Sequence, residues 1–194
     1  MCAGIHPHPG PPDPVYKTFV QFNCNGVLSS KAELQTFLTN HQVKIAALQE
    51  TKLTTKSKTP SFPGYNVVRK DGPVGREGGL ALLVHDSVRF TGLDVSAYIP
   101  PNDQTLELQG ISAQINGSYI KVFNVYVPPA SASTQYSLDL KNLLRVDDDA
   151  IILGDLNAHS DAWFSSLSDV RGDSLVEQIE DSEFYILNSD TPTR

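Results

Sequence analysis

The chain is organised around the stretch Ala150-Ile151-Ile152-Leu153-Gly154-Asp155-Leu156-Asn157-Ala158-His159. Its apolar opening, which includes two β-branched residues, predicts a short buried strand because the run is too short for a helix. Asp155 and Asn157 follow Gly154 at once. At the carboxyl end of a strand in an open α/β fold, the carboxylate could accept a proton from water and the carboxamide could donate hydrogen bonds to a charged oxygen. The pair could equally form an Asx turn that leaves the strand, and the stretch alone leaves both interpretations open.

Two more predicted strands end in polar side chains. Residues 16–23 alternate as a strand does and end at Asn23, with Asn25 following, and these carboxamides could form a turn or orient a phosphate or a hydrated metal. Residues 43–48 predict a buried strand, and Glu50 follows it. A lone Glu in such a position is usually a solvated surface residue. Two acids at strand ends in one parallel sheet could instead share a divalent cation, because a hard cation prefers oxygen ligands.

A fourth strand end comes from a predicted hairpin. The strands 105–115 and 118–127 are joined by Asn116-Gly117, the strongest short hairpin signal in the chain. Tyr126 lies at the end of the second strand, which Pro128 stops. Its phenol could donate to a phosphate oxygen, although a half-buried Tyr that only packs is the commoner case.

The rest of the chain alternates helical and strand-like patterns. We predict helices over 30–41, 135–144 and 173–180, the first with Ser30 as its N-cap, and further strands over 65–69, 79–84, 87–91 and 184–188, of which 79–84 and 87–91 form a pair. No internal repeat or linker divides the chain, so its 194 residues predict one domain with a sizeable core.

Charge and cysteine usage restrict the class of protein. The net charge of −7 argues against a simple basic surface for nucleic acid. The charge is uneven, with a net of +6 over 17–76 and −11 over 94–194. This asymmetry suits an anionic substrate on one side and cations on the other, but it also fits chance scatter over a solvated surface. No apolar segment reaches the length of a membrane span, and two cysteines without a disulfide framework favour a protein of the cytosol or nucleus.

Five short motifs occur in order along the chain, each next to a predicted strand end. They are Asn23-x-Asn25, Gln49-Glu50-Thr51, Gly78-Gly79-Leu80-Ala81, Asn124-Val125-Tyr126-Val127-Pro128 and Gly154-Asp155-Leu156-Asn157. Together they resemble the endonuclease/exonuclease/phosphatase superfamily over about residues 17–194. The continuation Ala158-His159, Ala162-Trp163 and Arg171-Gly172 resembles the branch found in endonuclease domains of non-LTR retrotransposons. In that branch the domain nicks target DNA, and the exposed 3′ end primes reverse transcription.

The resemblance implies a metal site. Glu50 resembles the glutamate that binds Mg²⁺ in the superfamily, with Mn²⁺ as an alternative metal. Asn23 resembles the asparagine beside that glutamate, and Asn25 stands where the superfamily often has an acid or an amide near the metal. These residues would place a Lewis acid on a phosphate oxygen.

The resemblance also implies a phosphodiester-cleaving set. Tyr126 resembles the tyrosine that contacts the phosphate. Asp155 resembles the aspartate that orients or deprotonates the attacking water, and Asn157 resembles the asparagine that stabilises the transition state. A phosphodiester needs both an activated water and donors for its developing charge, so these roles agree with the pattern of residue types.

The implied fold is two packed mixed β-sheets flanked by helices, a four-layer α/β/β/α sandwich like that of deoxyribonuclease I. The family ends in a Ser-Asp-His motif whose His contacts the scissile phosphate or acts as acid or base, and this chain has no such motif. We therefore expect the last strands to be missing, the domain 15–194 to be incomplete at its C-terminus, and its activity to be weak or absent. His159 is the first candidate to supply the missing function.

The N-terminal residues predict a separate segment. Residues 1–14 are rich in Pro and Gly and should form a flexible arm. Residues 2–11 resemble a 2A-type ribosome-skipping peptide, which some trypanosomatid retrotransposons carry, with His6 and His8 in place of the usual Glu and Asn.

The expected function is divalent-metal-dependent phosphodiester hydrolysis that nicks DNA in a retrotransposon context. The expected partners are DNA and a reverse transcriptase domain of the same element, with no membrane and a nuclear location. Two alternatives stay open. One is a catalytically dead remnant that binds nucleic acid or has no activity, and the other is a superfamily member that acts on RNA or a small phosphoester.

Overall fold

Two four-stranded sheets form the centre of the molecule. A computed structural model describes residues 18–72, 78–101, 103, 105–129, 138–147 and 149–188. The first sheet contains β1 (Phe19–Asn23), β2 (Ile45–Gln49), β3 (Tyr65–Lys70) and β4 (Leu80–His85), in the order β1-β2-β4-β3. The second sheet contains β5 (Phe90–Gly92), β6 (Glu107–Ile115), β7 (Ser118–Tyr126) and β8 (Ala150–Asp155), in the order β5-β6-β7-β8. Both sheets are mixed, because β1 runs parallel to β2 and β7 runs parallel to β8, whereas the other pairs are antiparallel.

Helices cover the outer face of each sheet. The helix α1 (Val27–Asn40) lies on the first sheet, and α2 (Val170–Glu180) lies on the second. Single 3₁₀ turns occur at Ser96–Tyr98, Leu143–Arg145 and Asp161–Trp163. The four layers α1, first sheet, second sheet and α2 confirm the α/β/β/α sandwich predicted from the sequence.

The two-residue repeat of the strands sorts side chains between these layers. On β2, Ile45 and Ala47 belong to the apolar core between the two sheets. The alternate residues Ala46 and Leu48 belong to the core under α1. Because β2 lies between β1 and β4 and is covered on both faces, all five of its residues are buried, which explains its nearly continuous apolar sequence.

The first helix starts earlier than predicted. It begins at Val27 after Gly26, and Ser30 is not its N-cap. The reason lies in the neighbouring loop, because the backbone N–H of Gly26 donates to the carbonyl of Glu50 and that of Val27 donates to the carbonyl of Thr51. Backbone carbonyls of this loop therefore accept from N–H groups at the start of the helix, which an N-cap side chain would otherwise satisfy.

Three other local predictions are wrong. The strands predicted over 79–84 and 87–91 do not pair, because β4 pairs with β2 and β3 whereas β5 pairs with β6 in the other sheet. The described part of the predicted helix 135–144 is irregular up to a 3₁₀ turn, since Gln178 on α2 donates to the carbonyl of Leu138 and accepts from the N–H of Leu140. Residues 184–188 form no strand.

The hairpin prediction is confirmed, with β6 and β7 in register across Asn116-Gly117. The predicted arm 1–14 and its 2A-like sequence lie outside the described residues. Within the described part of the chain, neither helix has the length and apolar character needed to cross a membrane.

Candidate active site

The carboxyl ends of four strands, two from each sheet, meet at one end of the sandwich. Three of the residues there continue the inter-sheet face of their strands by the two-residue repeat. Asn23 lies on the same face of β1 as Phe19. Likewise, Tyr126 shares a face of β7 with Val122, and Asp155 shares a face of β8 with Leu153. Their polar side chains therefore extend the core between the sheets and close it at this end.

Glu50 reaches the same place by a different route. It follows Gln49, the last residue of β2, and a regular strand would turn its side chain toward α1. Its backbone instead adopts a left-handed conformation with φ 50°. Few non-glycine residues adopt this conformation, and such residues concentrate at functional sites. The turn brings the carboxylate of Glu50 to the end of the inter-sheet space.

Hydrogen bonds join these four side chains into one network. The amide Nδ2 of Asn23 donates to Glu50 Oε1 and to Asp155 Oδ2, each at 2.8 Å. The hydroxyl of Tyr126 donates to the same Oε1 of Glu50 at 2.9 Å. One carboxamide thus bridges two carboxylates, and an amide with two N–H groups is suited to hold two anions close together.

Tyr126 is held in its protonated form. The residue is 3% exposed. Burial is the largest cause that raises the pKa of its hydroxyl, and the hydrogen bond to Glu50 and the nearby negative charges of Glu50 and Asp155 act in the same direction. The phenol is therefore a hydrogen-bond donor at any pH near neutrality.

Glu50 and Asp155 belong to different sheets. Glu50 follows β2 in the first sheet and Asp155 ends β8 in the second. The expectation of two acids in one parallel sheet is therefore wrong. The two carboxylates come together because the sheets pack face to face, which a pattern read along one strand cannot reveal.

Asn157 lies in the loop after β8. Its backbone is left-handed, with φ 44°, and its N–H donates to Asp155 Oδ1 at 3.2 Å. Its amide Nδ2 donates to the carbonyl of Val127 at 2.9 Å, which fixes the side chain beside the end of β7. Both oxygens of Asp155 therefore accept a hydrogen bond, one from Asn23 and one from Asn157.

Asn25 is not part of this network of side chains. It is exposed, its backbone is left-handed with φ 43°, and its N–H donates to Asn23 Oδ1 at 3.2 Å. No group of three or more His, Cys, Asp or Glu side chains among the described residues is placed to hold a metal ion. The donors at the strand ends are instead two carboxylates with amide and hydroxyl groups, and oxygen donors of these kinds suit a hard cation such as Mg²⁺.

Buried carboxamides tie the two sheets together directly beneath the network. Gln49 accepts at Oε1 from Gln21 at 2.6 Å and donates from Nε2 to Asn124 Oδ1 at 2.7 Å. Asn124 in turn donates to the carbonyls of Leu48 and Ala81 across the inter-sheet space. Sequence reasoning missed this role. The signal was a polar residue on the inward face of two otherwise apolar strands, because such a residue requires a buried partner.

A second buried contact involves Glu107. The carboxylate of Glu107, at the start of β6, accepts from the backbone N–H of Gly79 at 2.8 Å. Burial raises the pKa of Glu107 above its ordinary value, and the Gly79 bond and the charge of Lys70 oppose this shift. The sequence pattern assigned no role to Glu107.

Cys24 is a packing residue. Its thiol is buried and free, and it donates to the carbonyl of Gln49 at 3.1 Å. Burial raises the pKa of the thiol to about 11. The thiolate is the reactive form, and the thiol of Cys24 stays protonated near neutral pH.

The loop that follows β8 is braced by α2. Arg171 is buried and donates to the carbonyl of Asn157 in this loop at 3.5 Å, and to the carbonyl of Pro128 after β7 at 2.8 Å. A side chain at position 172 would overlap the carbonyl of His159, so only Gly allows this close approach. The ring of His159 is exposed, and its Nδ1 lies 3.2 Å from Ser165 Oγ. The Arg171-Gly172 pair thus has a structural role, whereas a function for His159 stays a prediction.

Comparisons with known proteins match most of the chain. The model of the Endonuclease/Exonuclease/phosphatase family matches residues 20–193. The probable RNA-directed DNA polymerase from transposon X-element of Drosophila melanogaster is 28% identical over 178 residues, and the RNA-directed DNA polymerase from mobile element jockey of the same organism is 26% identical over 174 residues. Each alignment covers 89% of this chain and 18% of the relative, so the chain spans less than a fifth of their length.

Solved structures share the fold. The endonuclease domain of TRAS1, a telomere-specific non-LTR retrotransposon, matches with a TM-score of 0.65 and 23% identity, over 90% of this chain and 75% of that one. The family match over residues 20–193 includes all four side chains of the network, Asn23, Glu50, Tyr126 and Asp155. The chain belongs to the endonuclease/exonuclease/phosphatase family.

Proposed function

We propose that the chain hydrolyses phosphodiesters with the help of a divalent metal, and that it nicks DNA as the endonuclease part of a retrotransposon. The observation that carries this proposal is the pair of hydrogen bonds from one amide, Asn23 Nδ2, to carboxylates of both sheets. The retrotransposon context is supported by the X-element and jockey proteins, which are named RNA-directed DNA polymerases, and by the TRAS1 endonuclease domain. A reverse transcriptase domain of the same element is the proposed partner, and the nucleus the proposed location.

Glu50 and Asn25 are the residues that would hold Mg²⁺ or Mn²⁺. Among the described residues, both hydrogen bonds to the Glu50 carboxylate are accepted by Oε1, which supports a role for its other oxygen as a cation ligand. The oxygen donors at the site fit such a hard cation better than a soft one. The bound cation would supply Lewis-acid stabilisation of negative charge on the phosphate.

Asp155 is the proposed base that orients the attacking water and takes its proton. Asn23 and Asn157 each donate to one of its oxygens, and this fixes the plane of the carboxylate. Each oxygen keeps a second lone pair, so the carboxylate can still accept a hydrogen bond from water. A base held in one orientation needs no reorganisation when the proton moves.

Tyr126 and Asn157 are the proposed donors toward the phosphate. The raised pKa of Tyr126 keeps its proton on the phenol. This single O–H donates to Glu50 Oε1 in the structure, so it would turn from Glu50 to donate to the phosphate. Asn157 has two N–H groups on its amide, of which one is directed at the carbonyl of Val127. The second has no acceptor among the described residues, and it would donate to an oxygen whose charge grows in the transition state.

A nicking assay on supercoiled plasmid tests this function. The parent chain is incubated with Mg²⁺, with Mn²⁺ and with EDTA, beside Asp155→Asn and a matched control, Asp149→Asn. Asp149 is exposed and lies immediately before β8, at the opposite end of that strand. We expect open circles to form slowly with either metal, in line with the weak activity expected from the sequence, to be absent with EDTA or Asp155→Asn, and to persist in Asp149→Asn.

The same assay separates the alternatives. Single-stranded RNA and bis(p-nitrophenyl) phosphate are offered under the same conditions. Cleavage of one of these without nicking of DNA would replace the DNA proposal with the second enzymatic alternative. Failure to cleave all three substrates would overturn the proposal and favour a catalytically dead remnant.

A further inference from the structure

Glu107 is a buried acid that the proposed chemistry does not use. It begins β6, it is 8% exposed, and its side chain continues the inter-sheet face that Ile111 occupies farther along the strand. Burying a carboxylate is costly unless it is paired or hydrogen-bonded. A buried acid at the functional end of the sandwich therefore requires a specific contact.

The contact is with Gly78-Gly79, the two residues before β4. Glu107 accepts from the N–H of Gly79 at 2.8 Å. A Cβ on Gly78 would overlap Glu107 Oε1, and a Cβ on Gly79 would come within 2.7 Å of the Thr51 hydroxyl. Both glycines also have positive φ, 159° and 87°. The pair forms a closely fitted seat for the carboxylate.

The same two glycines hold the residues that follow Glu50. The N–H of Thr51 donates to the carbonyl of Gly79 at 3.0 Å, and the N–H of Lys52 donates to the carbonyl of Gly78 at 2.9 Å. On the other side, the N–H of Gly26 donates to the carbonyl of Glu50 itself at 2.7 Å. The left-handed backbone of Glu50 is therefore supported from both sides by backbone hydrogen bonds.

These contacts form a short chain from the second sheet to the proposed metal ligand. Glu107 on β6 holds Gly79, the Gly78-Gly79 carbonyls hold the amides of Thr51 and Lys52, and those amides fix the backbone that turns Glu50 inward. The register of β6 and β7 places Glu107 opposite Tyr126, whose hydroxyl bonds to Glu50. Two residues of the second sheet thus act on Glu50. Glu107 supports its backbone through Gly78-Gly79, and Tyr126 donates to its carboxylate.

We propose that Glu107 is a positioning residue that keeps Glu50 in its left-handed conformation through the Gly78-Gly79 seat. The inference rests on the proposed function, because the purpose of that conformation is to present Glu50 to a metal. Glu107 itself does not touch the proposed substrate or metal.

The test compares four variants with the parent chain by amide hydrogen exchange, Mn²⁺ calorimetry and plasmid nicking. Glu107→Ala removes the acceptor, Glu107→Gln keeps an acceptor of the same reach without the charge, and Glu107→Asp keeps the charge but shortens the reach. Gln109→Ala is the matched control, because Gln109 is two residues along the same face of β6, is 7% exposed, and donates to Val68 instead of accepting from Gly79. The exchange rates report on the backbone whether or not the metal is bound.

We expect the amides of Thr51 and Lys52 to exchange about tenfold faster in Glu107→Ala and Glu107→Asp than in the parent, because the lost acceptor is a charged group. Mn²⁺ binding should weaken by about tenfold in the same variants, as for other residues that orient a ligand. Glu107→Gln should restore the exchange rates to within a few-fold, and Gln109→Ala should leave the Thr51 and Lys52 amides at the parent rate.

Two results would overturn the inference. One is parent-like exchange at Thr51 and Lys52 in both Glu107→Ala and Glu107→Asp. The other is an equal rise at all β-strand amides, which would mean that Glu107 only stabilises the whole fold. Failure of the proposed function gives a different result: the parent would neither bind Mn²⁺ nor nick DNA, while the selective exchange at Thr51 and Lys52 would still be measured.

Discussion

Glu50 and Asp155 arrive at the same site in opposite ways. Asp155 is the last residue of β8 and points inward because of the ordinary alternation of a strand. Glu50 lies just beyond β2, would point outward by the same alternation, and is turned inward by a left-handed backbone. One carboxylate is placed by a strand and the other by the contacts around a turn.

The surroundings of the two residues differ accordingly. β2 is fully buried between β1 and β4, and the backbone after it bonds to the segments at 26–27 and 78–79. β8 is half-buried throughout and has one hydrogen-bonded neighbour among the described strands. Side chains contribute to holding the loop after it, because Asn157 donates to the carbonyl of Val127 and Arg171 donates to the carbonyl of Asn157. A substitution of Gly78 or Gly79 should therefore displace the side chain of Glu50 more than that of Asp155.

The largest expected effect is the loss of the proposed base. Asp155→Asn keeps the shape of the side chain and removes its ability to take a proton, so the single-turnover nicking rate should fall by about 10²–10⁴-fold. Asn keeps only one acceptor oxygen for the two N–H groups that donate to Asp155, so the melting temperature is measured beside the rate to separate stability from catalysis. A rate within a few-fold of the parent would show that Asp155 is not the base.

The next effect concerns the metal. Glu50→Gln removes one negative charge while keeping the length of the side chain, so Mn²⁺ affinity measured by calorimetry should fall by roughly 10–100-fold. Asp149→Asn again serves as the control, since it removes one exposed charge away from the network. Equal affinities for the parent and Glu50→Gln would remove Glu50 from the metal site.

The smallest effect tests the backbone support of Glu50. Gly79→Ala places a Cβ against the Thr51 hydroxyl at a position with φ 87°, and we expect the free energy of unfolding to fall by about 1–3 kcal/mol. Gly92→Ala on β5 is the matched control, because nothing lies within 4 Å of a Cβ there. Urea unfolding measures both variants. A loss in Gly79→Ala no larger than in Gly92→Ala would contradict the description of residues 78–79 as a closely fitted seat.

Much of the fold followed from local patterns. The buried strand before Asp155, the strand before Glu50 and the hairpin at Asn116-Gly117 all occur where the sequence predicts them, within one or two residues. Alternation and turn chemistry act over a few residues, so these elements can be identified from one sequence. The strand-end positions of Asn23 and Tyr126 have the same origin.

The features that the sequence did not predict depend on contacts between distant segments. The start of α1 is fixed by the loop at Glu50, and residues 138–140 are bound by Gln178 on α2, so neither follows from propensity. The separation of Glu50 and Asp155 into different sheets depends on how β4 and β5 pair. The role of Glu107 depends on its hydrogen bond with the backbone N–H of Gly79. A pattern of side-chain types cannot predict a backbone partner.

The most direct test of one site built by two sheets is a double-mutant cycle on the nicking rate. The parent, Glu50→Gln, Asp155→Asn and the double variant are compared at one fixed Mg²⁺ concentration. Residues that act as a unit have strongly non-additive effects. We therefore predict that the double variant is about as slow as the slower single variant. A double variant whose loss equals the product of the two single losses would contradict a shared site.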